Sequence, residues 1–310
     1  MELPHITEEA ARRVTNAFGA RGRAWVTDLP TILRELSVTW NLVRIGEPFP
    51  GARAGFVAPV EDRLGRKLVV KVAPGLEWAR SEYEALAHWN GSGSISVLGF
   101  LPHLGATLQG RAVPGESLRA AGLGDLESAE IFSDVLLELQ SVDGPPPALP
   151  LLSSWLRQLE STAGTGSSPD FDRQRAAALE LSASLIGLPS RETLLHGDLH
   201  HSNILCDQDT WVAVDPKGIV GPAEAEVAAF LRNPRSRLLE LSDPVPALTA
   251  RTLTISQRLG YDPVRVAGWG YVLAVLAAAW ALEDLEGPVE AEKWLRCATM
   301  LHQSFRGFAA

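Results

Sequence analysis

Sulfur is scarce in this chain. Its 310 residues hold two cysteines, Cys206 and Cys297, and two methionines. Two cysteines cannot build a disulfide framework, so both are expected to be free thiols in a reducing, cytoplasmic compartment. Basic charge is also short: 28 lysines and arginines face 37 aspartates and glutamates, a formal net charge of −9. That balance argues against the basic footprint of a general nucleic-acid binder, and it suits a cationic small molecule. Long apolar runs are nearly missing. Residues 266–282 carry no formal charge over seventeen positions, the lower edge of a membrane-spanning length. The run is rich in Ala and Gly and has no second copy. It is expected to be a buried core helix, with no membrane involved. The opening residues, MELPHITEEAARR, have no apolar segment after a basic start and do not read as a signal peptide. No internal repeat is visible.

What is present is an ordinary globular mixture, 46% hydrophobic and 21% charged, long enough for one large domain or two lobes. Residues 7–20 and 25–38 carry helical spacing, with Thr7 and Thr27 as caps. Strand-like runs follow at 40–46, 54–60 and 67–73, separated by the turns EPFPGARAG and EDRLGR. A helix is expected over 77–89, then strands over 94–101 and 106–113. The segment PGESLRAAGLGD reads as a connection. From Leu126 onward the pattern is mainly helical, interrupted by short strand-like runs at 203–206 and 211–215. The fold class is therefore α+β with two lobes. Residues 1–113 form a β-rich N-lobe with two leading helices, five strands and one inserted helix. Residues 114–310 form a helical C-lobe.

Chemistry concentrates in LLHGDLHHSNILCDQDTWVAVDPKG, residues 194–218. A hairpin between its two apolar runs would bring Asp198, Asn203 and Asp215 to one end. A carboxylate and a carboxamide oxygen together suit a hard Mg²⁺ ion. The remaining carboxylate is then free to take a proton from a hydroxyl. That division of labour is the phosphoryl-transfer template. The template also calls for an upstream lysine on a strand and a helical acid to orient it. Lys71 lies in VVKV, and Glu82 lies in the next helix, with Glu84 as the alternative partner. Two other classes stay open on the residues alone. One is a zinc-type hydrolase built on His196, Asp198, His200 and His201. The other is a non-catalytic nucleotide-binding regulator.

H-G-D-L-H-H-S-N followed by V-D-P-K-G resembles the aminoglycoside phosphotransferase family of the protein-kinase-like fold, and within it the streptomycin/hydroxyurea subgroup. RAWVTDLP and EYEALAHWNG are similar to the same subgroup. The resemblance implies ATP and Mg²⁺ as cofactors. It implies Asp198 as catalytic base, with Asn203 and Asp215 as metal ligands. Lys71 would contact the phosphates and pair with Glu82. His200 would lie near the γ-phosphate, and His196 would brace the loop. The strand 106–113 would border the adenine, with backbone groups from Arg111 to Val113 as the hinge. Glycine cover for the phosphates is expected near Gly51 and Gly55, although the loop lacks a G-x-G-x-x-G pattern. Lys217 departs from the kinase pattern and would either assist phosphate binding or pair with a nearby acid. The implied partner is a hydroxylated small molecule, such as a cationic aminoglycoside of streptomycin type, giving antibiotic resistance. Trp269 or Trp280 is a candidate border of its site, as are Asp243, Glu283, Asp284 and Glu286. Glu224 and Glu226 read first as acids favoured by a helix N-terminus, with a contact to a cationic acceptor or a brace for the catalytic loop as the second reading.

Overall fold

The computed structural model describes residues 3–50, 55–142, 149–162, 168–188, 190–283 and 287–309. The chain opens with α1 (Glu8–Thr39), capped by the Thr7 hydroxyl, which accepts from the Ala10 amide at 3.2 Å. The two expected helices are one helical run, broken at Gly19, where φ is +57°. Thr27 is not a cap: its hydroxyl donates to the Arg23 carbonyl inside the run. Trp25, Leu29, Leu33 and Leu36 make the buried stripe of α1. Their spacing of three and four places them on one face, and each contributes roughly 1.5–3 kcal/mol on burial.

That face covers a five-stranded antiparallel sheet. Its strands are β1 (Leu42–Ile45), β2 (Phe56–Asp62) and β3 (Lys67–Val72), then α2 (Leu76–Trp89), β4 (Val97–Leu101) and β5 (Ala106–Gly110). The spatial order is β1-β2-β3-β5-β4. Period-two alternation sorts the side chains. Leu68, Val70 and Val72 enter the core shared with α1, and Lys71 points the other way. Gly55 allows a close approach to β3, because a Cβ there would meet the Val72 carbonyl oxygen at 2.4 Å. Gly51 lies outside the described residues.

The chain crosses lobes through β6 (Pro114–Ser117), which pairs with β8 (Ile204–Asp207) of the C-lobe. The helices α3 (Asp125–Gln140), α4 (Leu152–Ser161) and α5 (Pro169–Gly187) come next, then β7 (Glu192–Leu195). The β8–β9 hairpin, with β9 at Thr210–Ala213, precedes β10 (Ile219–Pro222), which returns to pair with β7. Five helices finish the chain: α6 (Val227–Leu231), α7 (Arg235–Glu240), α8 (Val245–Leu259), α9 (Pro263–Glu283) and α10 (Gly287–Ala309). Helix α9 is long and apolar enough to cross a membrane, yet 83% of its most apolar window is buried inside the protein. It packs against α4, α5, α6 and α10 as the axis of the larger core.

Both β7–β10 and β8–β9 are short antiparallel pairs, and the loops between their strands meet at one end. The N-lobe is tied to that end twice. Ile95 donates to the Ala213 carbonyl and Ala213 donates to the Gly93 carbonyl. Trp89, at the end of α2, stacks on His196 with ring centroids 6.2 Å apart.

Candidate active site

Three separate parts of the chain converge on Lys71. Its ammonium pairs with Glu82 of α2 at 2.8 Å and with Asp215 of the loop after β9. Glu84 does not compete; it faces Arg80 at 3.9 Å. Glu82 is held by the Gln109 amide, which donates to it at 3.0 Å. Burial alone would lower the Lys71 ammonium, but Asp215 and Glu82 overcome it and hold the pKa above the ordinary lysine value. Burial likewise opposes ionisation of Asp215, and Lys71 with Lys217 outweighs it, keeping that carboxyl well below its usual range.

Lys217 joins the two halves of the 194–218 motif. Its ammonium donates to Asp215 at 2.9 Å and stands 3.8 Å from Asp198. Asp198 also lies 3.8 Å from the His200 ring. Asn203 donates through Nδ2 to the Asp198 carbonyl at 2.9 Å, which leaves its Oδ1 as the free acceptor. Asp215 sits at φ +63°, a left-handed conformation that aspartate tolerates and that gathers at functional sites. One carboxamide oxygen and one carboxylate oxygen, both hard donors, fit a magnesium ion between Asn203 and Asp215.

The histidines have other work. His196 is fully buried. Its Nε2–H donates to the Val214 carbonyl at 2.9 Å, and its Nδ1 accepts from the Asp198 amide at 3.2 Å. Both nitrogens are spent, so His196 braces the loop and cannot ligate zinc. Burial lowers its pKa to about 4, against the pull of Asp198. His201 stacks on Phe230 at 4.1 Å between centroids. Among the described residues no three histidines, cysteines or acids are placed to hold a metal together. The hydrolase reading therefore loses its donor set.

The adenine hinge is narrower than the sequence implied. Strand β5 stops at Gly110. The Val113 amide donates to the Asp207 carboxylate at 3.0 Å, and the Val113 carbonyl accepts from Gln208 at 2.6 Å. Val113 is thus committed to the β8–β9 turn. Neither Arg111 nor Ala112 makes a backbone hydrogen bond with another described residue, so their amides and carbonyls are the groups left for a base edge.

One brace stood second in the sequence reading and is the one found. Glu226 is 2% exposed and closes a single 3-10 turn, Ala223–Glu226. Its carboxylate accepts from the His196 amide and from the Gly197 amide at 3.1 Å. It is a strut under the loop, not a dipole-favoured surface acid. Glu224 is committed too, accepting from Arg265 at 2.7 Å. Burial raises the Glu226 carboxyl to about 7, although the loop amides oppose this.

The signs then run against each other. The folded pKa of His196 lies below its unfolded value, so its contribution to stability is lost as pH falls from about 6.5 towards 4. The folded pKa of Glu226 lies above its unfolded value, so its contribution is lost as pH rises from about 4.5 through 7. Replacing Glu226 with Gln removes the second effect. Between pH 6.5 and 4.5 the variant should lose stability on acidification more steeply than the parent, by about 1 kcal/mol per pH unit. Urea unfolding at pH 6.5, 5.5 and 4.5 measures the two slopes.

Gly218 locks this loop to α2. It has φ +64°, and a Cβ there would lie 2.5 Å from the Ser81 carbonyl oxygen, next to Glu82. Gly218→Ala should cost about 2 kcal/mol through strain and displaced helix backbone. A thermal melt showing no loss would remove that account.

The cleft beneath the loop is lined by Trp155, Gly197, Glu226, Arg232, Leu276 and Trp280, among others. Trp280 lines it, meeting Trp155 edge-on with ring centroids 5.2 Å apart. Trp269 is wholly buried and stands apart from it. Asp243 and Glu283 do not line it, and Asp284 and Glu286 lie outside the described residues.

A family model described as aminoglycoside/hydroxyurea antibiotic resistance kinase matches residues 39–285. The chain belongs to that family. It is a small-molecule phosphotransferase acting on a hydroxyl group. Among curated relatives, the streptomycin 6-kinase of Streptomyces glaucescens is 27% identical, over 99% of this chain and 98% of its own. The streptomycin 3''-kinase of Klebsiella pneumoniae is 31% identical, over 79% of this chain and 90% of its own. Among solved structures, a thermostable aminoglycoside phosphotransferase mutant with ADP and hygromycin B superposes with a TM-score of 0.65. It is 14% identical, covering 89% of this chain and 98% of its own, which establishes the shared fold alone.

Proposed function

We propose that this family member moves the γ-phosphate of ATP to a hydroxyl of a streptomycin-type acceptor. The observation that carries the reading is Lys71, held at once by Glu82 and Asp215, with Asp198 beside them across Lys217. The Lys71 and Lys217 ammonium groups neutralise the carboxylates now, and both stand ready to meet phosphate oxygens. The Asp198 carboxylate takes the proton of the acceptor hydroxyl. The acceptor oxygen forms a bond to the γ-phosphorus, the bond from phosphorus to the β,γ-bridging oxygen breaks, and ADP leaves with that electron pair. Held by Asn203 Oδ1 and the Asp215 carboxylate, Mg²⁺ would supply charge neutralisation for the phosphates. Positioning and fixed charge do most of the work in such a transfer.

Transfer of label from γ-labelled ATP with Mg²⁺ to streptomycin and a panel of aminoglycosides tests this reading. Label on streptomycin supports both reaction and acceptor class. ATP binding with no transfer to any acceptor would favour the regulatory alternative.

A further inference from the structure

Asp215 offers two carboxylate oxygens, and each already holds an ammonium. Lys71 donates to Oδ1, and Lys217 donates to Oδ2 at 2.9 Å. A magnesium ion bound there meets one of these cations at close range and displaces it. The two lysines are not equally free to leave. Lys71 has a second close carboxylate, the buried Glu82 at 2.8 Å, which Gln109 holds in place. Its ammonium can fall back on Glu82 and stay paired. Lys217 has no such reserve. Among the described residues it donates only within Asp215, to Oδ2 and to the backbone carbonyl at 3.4 Å. Its other acid, Asp198, stands 3.8 Å away.

The backbone under Lys217 is fixed. Its amide donates to the His196 carbonyl at 2.7 Å, and the next residue, Gly218, is wedged against the Ser81 carbonyl. The side chain thus hangs from a set point between Asp198 and Asp215. It is 42% exposed, so a phosphate oxygen can reach the ammonium.

The donor set limits the metals. Protein kinases hold two magnesium ions with a loop Asn and an Asp. Here Asn203 Oδ1 and Asp215 Oδ1 make one oxygen pair for one ion. A second ion would need Asp215 Oδ2, the oxygen that Lys217 holds, with Asp198 as the other acid beside that ammonium. An ammonium between two carboxylates does there what a second ion would do. It separates the acids and offers positive charge to the phosphates.

We propose that Lys217 fills the place of a second magnesium, so that this enzyme works with a single metal ion. That ion takes Asn203 and Asp215 Oδ1, and Lys71 retires to Glu82. Lys217 stays on Oδ2 beside Asp198 and gives a remaining N–H to a phosphate oxygen. The inference rests on the phosphotransferase reading.

Counting metal ions tests it without turnover. The full chain is held in excess over AMP-PNP, so that the nucleotide is protein-bound, and titrated with Mn²⁺ as a spectroscopic stand-in for Mg²⁺. Electron paramagnetic resonance reads the free ion. The parent should bind one Mn²⁺ per nucleotide. Lys217→Met should bind two, because it frees Oδ2. Lys217→Arg keeps the cation and should bind one. Label transfer gives a second readout. Lys217→Met should lower kcat about 10²-fold, the scale of one preorganised donor lost. Free Mg²⁺ beyond that bound to ATP should recover part of this loss and leave the parent unchanged. Two ions per nucleotide in the parent, one in Lys217→Met, or activation of the parent by excess Mg²⁺ would each overturn the proposal. If a variant is too unstable to assay, the parent's count still decides. Absence of nucleotide-linked Mn²⁺ in the parent would bring down the phosphotransferase reading itself, and the proposal with it.

Discussion

Asp198→Ala should lower kcat by about 10²–10⁴-fold, the range for loss of a positioned proton acceptor, while ATP still binds. The fold should survive, because the loop does not depend on this carboxylate. The Asp198 carbonyl accepts from Asn203 and the Asp198 amide donates to His196, and both belong to the backbone. The side chain is partly exposed and stands 3.8 Å from both Lys217 and His200. Lys217 keeps Asp215 when Asp198 is gone. Loss of one negative charge beside the phosphates should leave ATP affinity unchanged or slightly stronger. Asp198→Asn keeps the shape and cannot accept the proton at neutral pH, so it should fall as far as Ala. Initial rates of label transfer together with thermal shifts by ATP separate the two effects. Full turnover in either variant would take the base role from Asp198, whereas loss of ATP binding would make its role structural.

The residues read from the sequence with most success are those whose position follows from local rules. Lys71 sits in a strand of alternating burial, so its direction is set by Val70 and Val72. Asp198, Asn203 and Asp215 lie on loops at the end of short apolar runs, where a hairpin has to bring them together. Glu82 was separable from Glu84 only by three-dimensional placement; both lie on the same helix, and the turn between them decides which faces Lys71. Val113 failed as a hinge residue because Asp207 and Gln208, more than ninety positions on, take its amide and carbonyl. Thr27 failed as a cap because helix continues on both sides of it. Glu226 is the sharpest case, since an acid beside a helix start has a sufficient local explanation that outranked the loop brace it turns out to be.

Glu226→Ala should therefore destabilise the protein by about 3–5 kcal/mol, because it leaves two loop amides without their acceptor. A helix-terminus acid would be worth roughly 0.3–1 kcal/mol at most, so the two explanations differ by several-fold. The amides of His196 and Gly197 are the ones exposed to this loss. Gly197 stands at φ +79° and Trp155 packs against it, so the loop has little room to find other partners. The damage should reach the chemistry as well, because these amides flank the residue that carries Asp198. Glu226→Gln keeps one side-chain oxygen for the loop and fits the same space, so it should retain most of the stability and a measurable rate. Urea unfolding at neutral pH gives the stability difference, and label transfer gives the rate. A small loss in the Ala variant, within about 1 kcal/mol of the parent, would return Glu226 to the helix-dipole account. A large loss in Ala that Gln mostly repairs would identify the carboxylate as the strut on which the catalytic loop stands.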